Sequence, residues 1–250
     1  NQLHNGMGFF ESHMIKSGID WYIGEKSTLS AVYSINNNKH DFDRQVLTSY
    51  LDSEDILSSY TDKSSDHHDV RKGQNYILTW TRDFNRPEQR LIIDANYSFD
   101  NGDGDSFYDE VYEIDDYLPV TGLFLSQKHY EVNNSEVAAI QADYTHPFAS
   151  DRKLETGFRV GYRGFESEFE ADVFDSLSQS YILDSALIND YMYDELIAAA
   201  YATYSGKFNK LSYLAGIRLE ETFTRGELLN TPDNVFENNY FSFFPSMHLS

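Results

Sequence analysis

Arg90-Leu91-Ile92-Ile93-Asp94-Ala95-Asn96-Tyr97-Ser98-Phe99-Asp100 decides the fold. Side chains on a strand point alternately to opposite faces, so one face of this stretch reads Leu91, Ile93, Ala95, Tyr97, Phe99. The other reads Arg90, Ile92, Asp94, Asn96, Ser98, Asp100. The same beat returns in 211–220, where Leu211, Tyr213, Ala215, Ile217 and Leu219 oppose Ser212, Leu214, Gly216, Arg218 and Glu220. Weaker versions run through Leu29, Ala31, Tyr33, Ile35, through Tyr76, Leu78, Trp80, and through Ala138, Ile140, Ala142, Tyr144.

These stretches come in pairs joined by tight turns. Residues 13–24 and 27–38 flank Gly24-Glu25-Lys26-Ser27, and 73–84 and 89–100 flank Asn85-Arg86-Pro87-Glu88. A third pair, 136–148 and 152–164, turns at Ala149-Ser150-Asp151, and a fourth, 195–208 and 210–226, near Asn209. Between the pairs lie 39–72, 101–135 and 165–194, expected to be long loops. Soluble strands run to about five or six residues, whereas a tilted strand crossing a bilayer needs about nine to eleven. Strand length and loop asymmetry together predict an all-β, antiparallel transmembrane β-barrel of the outer-membrane kind. A soluble β-sandwich also alternates, but its strands are short and its turn signals recur every 8–12 residues.

Composition agrees with a barrel. No run of about 18 apolar residues exists, so no transmembrane helix is expected. Tyr and Phe supply 19 and 18 of the 250 residues, an excess suited to aromatic girdles at both membrane interfaces. The absence of cysteine leaves no role for disulfides. The net charge of −22 gathers in the long connections: Asp100, Asp103, Asp105, Asp109, Glu110, Glu113, Asp115 and Asp116 in one, Glu166, Glu168, Glu170, Asp172, Asp175, Asp184, Asp190, Asp194 and Glu195 in another. Lys26, Arg86, Arg90, Arg152, Lys153, Lys207 and Lys210 cluster at the short-turn end. Acidic loops are solvated and can attract cations or cationic ligands. They do not suit a nucleic-acid partner, which needs a concentrated positive patch.

The chain opens at Asn1 with no initiator Met and no apolar signal region, and it stops at Ser250 inside the strand-like run from Asn239. About nine strands are countable, an odd number, while single-chain bacterial barrels use even ones. The expectation is therefore an incomplete barrel, with 1–250 forming part of one barrel domain.

Chemical motifs are few. No Gly-x-Ser-x-Gly elbow, His-Glu-x-x-His helix or P-loop occurs, so no enzyme is expected; an outer-membrane lipase would need a Ser/His pair that no spacing singles out. Asp66-His67-His68-Asp69 offers imidazole and carboxylate ligands but sits in a polar connection. Asp100-Asn101-Gly102-Asp103-Gly104-Asp105 could curl Asp100, Asp103 and Asp105 around Ca²⁺, or form an acidic turn; it lacks the full EF-hand spacing and closing Glu. Alternation predicts Arg90, Asp94, Arg159, Arg163, Arg218 and Glu220 as ligand- or lumen-facing, because an arginine facing lipid at the midplane costs about 2–4 kcal/mol. A rim position, where that cost fades, is the alternative for Arg218. His146 reads as an interface or turn residue, and Pro147, lacking an amide proton, suits the end of a strand.

Asp143-Tyr144-Thr145-His146-Pro147-Phe148 followed by Lys153-Leu154-Glu155-Thr156-Gly157-Phe158 resembles a strand-turn-strand signature of the outer-membrane β-barrel proteins of Bacteroidetes, relatives of TonB-dependent receptors. Tyr193-Asp194-Glu195, Ala199 through Tyr204, Ala215 through Glu220, and Asn239-Tyr240-Phe241 with Phe244-Pro245-Ser246 resemble the next blocks in the same order. The resemblance covers 136–250 by motif and 1–135 by strand rhythm. It implies a 22-stranded barrel in outer-membrane lipid, enclosing an N-terminal plug and importing a bulky ligand with energy passed on by TonB. Such a barrel needs roughly 600 residues at roughly 28 per strand and connection. The ligand itself is not legible. A soluble or surface β-sheet module binding glycans, and a smaller closed barrel of eight or ten strands, are the alternatives.

Overall fold

The computed structural model describes residues 2–51, 57–113, 123–148, 151–231 and 235–250. Among them the chain is all β. The strands are β1 (Gln2–Tyr22), β2 (Ser27–Leu51), β3 (Leu57–Asp83), β4 (Arg90–Glu113), β5 (Leu123–Pro147), β6 (Lys153–Asp175), β7 (Ser180–Leu183), β8 (Tyr191–Phe208), β9 (Leu211–Leu228) and β10 (Val235–Leu249). Nine of them form one antiparallel meander in sequence order, and the short β7 pairs with the end of β6. β1 and β10 are not paired with each other, so the sheet is an open segment of barrel wall, not a small closed barrel.

The short turns fall where the sequence puts them. Gly24 adopts φ 70°, a conformation that costs glycine nothing, and Glu88 and Asn209 take positive φ at 63° and 55°. Asp151 does likewise at 55°, while Ala149 and Ser150 lie outside the described residues. The long connections are different from expectation. Most of 39–72, 101–135 and 165–194 is strand: β2, β3 and β5 run 25, 27 and 25 residues. At about 3.3 Å per residue, β3 extends roughly 90 Å, about three times the hydrocarbon thickness. These hairpins rise far out of the bilayer, where both faces meet water and the apolar half of the alternation is no longer required. The backbone ladder continues without it.

Side chains in register share a face. Trp21, Leu29, Trp80, Ile93, Ala142, Phe158, Ala200, Leu219 and Phe243 form an unbroken apolar row across the nine strands. Counted from this row, the β1–β2 turn is centred about four residues away and the β8–β9 turn between nine and ten. The turn line thus steps about one residue per strand, a strand tilt of roughly 30–35° for standard rise and spacing, close to that of closed barrels.

Two aromatic belts bound the apolar face. Near the short turns Phe84, Tyr144, His146, Phe148, Tyr204 and Tyr213 follow one another with ring centroids 6.1, 6.0, 4.7, 6.1 and 6.1 Å apart. Toward the long hairpins the rings of Tyr33, Tyr76 and Tyr97 lie tilted against one another with centroids 4.9 and 6.2 Å apart, the Tyr33 and Tyr76 hydroxyls donating to Gln74. Rings in apolar surroundings with hydroxyls turned to polar partners are what membrane interfaces select. Pro147 ends β5 and His146 sits within the lower belt.

Candidate functional site on the polar face

The opposite face is polar, and on a barrel that face borders the lumen. Thr79, Asp94, Gln141, Arg159, Ala199, Glu220 and Ser242 share one register row. Toward the short turns the next row runs Thr81, Ile92, Asp143, Gly157, Tyr201, Arg218. Two rows the other way come Val137, Arg163, Glu195 and Thr224. Small residues, Ala139, Gly161 and Ala199, lie between the arginines. They leave a depression of about 160 Å³ lined by Arg159, Arg163, Arg218, Glu195 and Glu220.

Hydrogen bonds fix this cluster. Arg159 Nη1 donates to Gln141 Oε1 at 3.3 Å, and Gln141 Nε2 donates to Asp143 Oδ2 at 2.7 Å. Arg218 is ion-paired to Glu220 two residues on, so their charges largely cancel. Arg163 faces Glu195 across the β6–β8 ladder, while Glu195 accepts from the Tyr193 hydroxyl at 3.1 Å. Of the six charged residues predicted from alternation, Arg159, Arg163, Arg218 and Glu220 meet in the depression. Asp94 shares the row of Arg159 and Glu220, two strands from Arg159, and accepts from Thr79 at 2.6 Å. Arg90 is apart from them, at the turn end, bound to Asp83 at 2.6 and 3.2 Å.

A larger hollow of about 750 Å³ adjoins the depression on its long-hairpin side, with Arg163 common to both. Phe165, Tyr193, Gly226 and Phe236 occupy one row and Tyr191 and Leu228 the one beyond. The Phe165 and Tyr191 rings lie 5.4 Å apart. Gly226 sits among these rings with no side chain of its own, and a Cβ built there would meet nothing closer than Met192 O at 4.0 Å. The hollow therefore has aromatic walls, an open centre and a guanidinium at its edge. Of these aromatic residues only Tyr193 stands in a sequence block named above, Tyr193-Asp194-Glu195, and nothing in the sequence joins it to the others. The signal was there: Phe165, Ser167, Phe169 and Ala171 alternate with Glu166, Glu168, Glu170 and Asp172, a strand pattern concealed by the acids.

The calcium expectation is corrected by the backbone. Asp100, Asp103 and Asp105 lie in the extended strand β4, opposite Gly73, Val70 and His68, so Asp100 is on the face opposite the other two. Three carboxylates on two faces cannot converge on one ion, and among the described residues no group of three or more His, Asp or Glu is placed to hold a metal. The Asp66–Asp69 run is strand as well: His67 bonds Ser106 Oγ at 2.6 Å on one face and His68 bonds Asp41 on the other.

Residues 82–250 match the outer membrane protein beta-barrel family. The chain belongs to that family. Membership places this β-barrel family protein in the outer membrane and among barrels rather than enzymes. No curated protein sequence matches it. Solved structures similar to it include the ferric citrate transporter FecA, at 9% identity over 97% of this chain and 42% of FecA, TM-score 0.39. Others are the siderophore receptor PiuA from Acinetobacter baumannii (9% identity, 98% and 45% of the two chains, TM-score 0.43) and the ferric-catecholate import receptor Fiu from K12 E. coli (9%, 99% and 46%, 0.42). The chain spans less than half the length of each of these proteins.

Proposed function

We propose that residues 1–250 form one side of a larger outer-membrane receptor barrel, of the 22-stranded TonB-dependent kind, which takes up a bulky ligand. The observation that carries this reading is the continuity of the polar face. An aromatic hollow at the level of the projecting hairpins leads directly, through Arg163, to a charged depression at the level of the bilayer. Apolar walls with few fixed polar groups are how proteins hold a ligand of size, and flat rings of a ligand stack on Phe165, Tyr191 and Tyr193. Arg159, Arg163 and Arg218, with Asp94 and Glu220, then face the lumen and meet the ligand or an N-terminal plug below it. Energy for passage comes from TonB acting on that plug. The acid-rich hairpins raise the local concentration of cationic groups at the entrance.

An open sheet edge is not tolerated in hydrocarbon, so β1 and β10 each pair with a further strand of the same barrel. The test is uptake. Cells expressing the complete barrel are given radiolabelled ferric siderophores, cobalamin or maltooligosaccharides with and without a protonophore. One ligand accumulates in an energy-dependent manner, and Arg163→Ala with Arg159→Ala reduces this at least tenfold while surface expression holds. Energy-independent accumulation of every probe, or none that needs the arginines, overturns the proposal.

A further inference from the structure

Above the bilayer the hairpins are charged differently on their two sides. Outward, two successive register rows across β1–β6 carry Asp41, Asp105 and Glu170, then Asp43, Asp66 and Asp172, against His68 and Lys128. On the lumen side, the row interleaved with these reads Gly8, Phe42, His67, Ser106, His129, Ala171. The lumen-side row below it adds His40 and Phe169 with Asp69 and Glu131, and the row above adds Arg44 and Tyr108. Both carboxylates are already engaged: Arg71 Nε donates to Asp69 at 3.0 Å and Asn133 Nδ2 to Glu131 at 2.6 Å. An anion is therefore repelled by the outside of this wall and met by imidazoles on the inside.

Ser106 stands between two histidines. Strands about 4.8 Å apart put His67 and His129 roughly 10 Å from each other across it, and Gly104, next to Ser106 on that face, brings no side chain. The His129 ring lies 4.6 Å from Tyr108 and 5.2 Å from Phe169, and the His40 ring 6.2 Å from Phe42 and 6.4 Å from His67. Rings thus line the slot on both sides, and flat rings of a ligand stack on such walls. Its proton count decides what else it holds. His129 Nε2 donates to Gln127 Oε1 at 3.1 Å, so Nδ1 of the neutral ring is an acceptor, and only a further proton makes it a donor. His67 Nδ1 meets Ser106 Oγ at 2.6 Å; once charged, His67 donates there, which frees the Ser106 hydroxyl proton for a ligand oxygen and leaves Nε2–H as a second donor. Burial, aided by the positive Lys63, holds His129 below its ordinary value of 6.5, so this ring charges only as pH falls. The other charges facing the slot are spoken for: Lys63 is drawn over Tyr108 at 5.5 Å with Glu110 opposite it in register, Arg44 donates to His4 at 3.0 Å, and at the β6 edge Asp190 and Asp184 accept from the Phe169 and Ala186 amides at 3.1 and 3.0 Å.

We propose that the lumen side of the projecting hairpins is a proton-dependent site for an aromatic carboxylate. The carboxylate sits over Ser106, bonded by its hydroxyl and by the charged imidazoles of His67 and His129, and the ring lies against Tyr108 and Phe169. As pH rises the imidazoles lose their second proton, the donors become acceptors, and the anion is released. The site is separate from the aromatic hollow, since Phe169 stands four residues beyond Phe165 on the same face of β6, and it is one of binding that does not rest on uptake.

The test titrates the complete barrel in nanodiscs with a fluoronaphthoate and with its uncharged amide, read by fluorine NMR line broadening at about pH 5.5 and about pH 8, on either side of the ordinary imidazole value. A carboxylate with an ordinary value of about 4 keeps its charge over that range, so a change in binding reports on the protein. The naphthoate binds at least fivefold more tightly at the lower pH. His129→Gln and His67→Gln each weaken it there at least threefold, while the amide, which needs only the rings, binds wild type and variants alike at both pH values. Heat-modifiable gel mobility identifies the folded fraction; should one variant not fold, the other decides. Naphthoate binding independent of pH, as a guanidinium alone would give, or undiminished by either substitution, overturns the proposal, and so does an amide that follows the same pH course. No transport step enters the assay, so its outcome is distinct from that of the uptake test.

Discussion

Ile92 and Ile93 are adjacent, chemically identical and both half-buried, yet they point to opposite faces of β4. Ile93 lies in the apolar row between Trp80 and Ala142, in the middle of the band between the two aromatic belts. Ile92 lies between Thr81 and Asp143, and the Asp143 Oδ1 atom is buried with no hydrogen-bond partner. Arginine at Ile93 must enter hydrocarbon, at about 2–4 kcal/mol near the midplane. Arginine at Ile92 meets water and an unpaired carboxylate oxygen. Because both substitutions delete the same side chain, their difference isolates the environment: Ile93→Arg is less stable than Ile92→Arg by about 2–4 kcal/mol, roughly 30- to 800-fold in the folding equilibrium. Urea unfolding of the complete barrel in phospholipid vesicles, followed by tryptophan fluorescence, measures it. Equal losses, or the larger loss at Ile92, would refute the assignment of faces.

Further outcomes follow from particular contacts. Gly226→Phe places a ring in the aromatic hollow from a Cβ that meets nothing closer than Met192 O at 4.0 Å, so ligand binding falls at least tenfold in a radioligand assay while gel mobility of the folded barrel is unchanged. Gly157→Val collides with Tyr201 Oη and Asp143 Oδ1, which stand 2.7 and 2.8 Å from a Cβ, and destabilises by about 1–3 kcal/mol in denaturant unfolding. A hydrogen bond from His68, aided by Lys39, holds the Asp41 carboxyl below its ordinary value of 3.8 against a smaller opposing effect of burial. A lowered folded-state value means that the pairing's support for the β2–β3 hairpin is complete above about pH 4 and is lost as pH falls through the lowered value. Protease cleavage of that hairpin therefore rises on acidification below pH 4, and Asp41→Asn removes the dependence.

Much of the wall was legible because lipid imposes a rule on every second residue. Leu91 to Phe99 and Leu211 to Leu219 obey it, and the turns at Gly24, Pro87 and Asn209 sit where the alternation breaks. The rule ends where the lipid ends. Beyond the upper belt Asp41, His68 and Asp105 can stand on one face of paired strands with no apolar requirement, and such stretches read as loops although the backbone ladder holds them extended. The calcium reading failed for the same reason: Gly102 and Gly104 suggested a turn, but both are paired within β4. The arginines of the depression were found from strand parity alone. The aromatic hollow was not, because it joins Phe165, Tyr193, Gly226 and Phe236 from four strands, and only register brings them into one row.

The sequence has no cysteine, so single cysteines report without background. Cysteine replacement of each residue from Leu91 to Phe107, followed by labelling of intact cells with a membrane-impermeant maleimide, tests the central claim that this sheet crosses the outer membrane and continues above it as hairpins. The expected result is a period of two over 91–97, with Ile92, Asp94 and Asn96 labelled and Leu91, Ile93, Ala95 and Tyr97 protected, giving way to labelling at every position over 101–107. Uniform labelling over 91–97, or protection that persists on one face through Phe107, would contradict it.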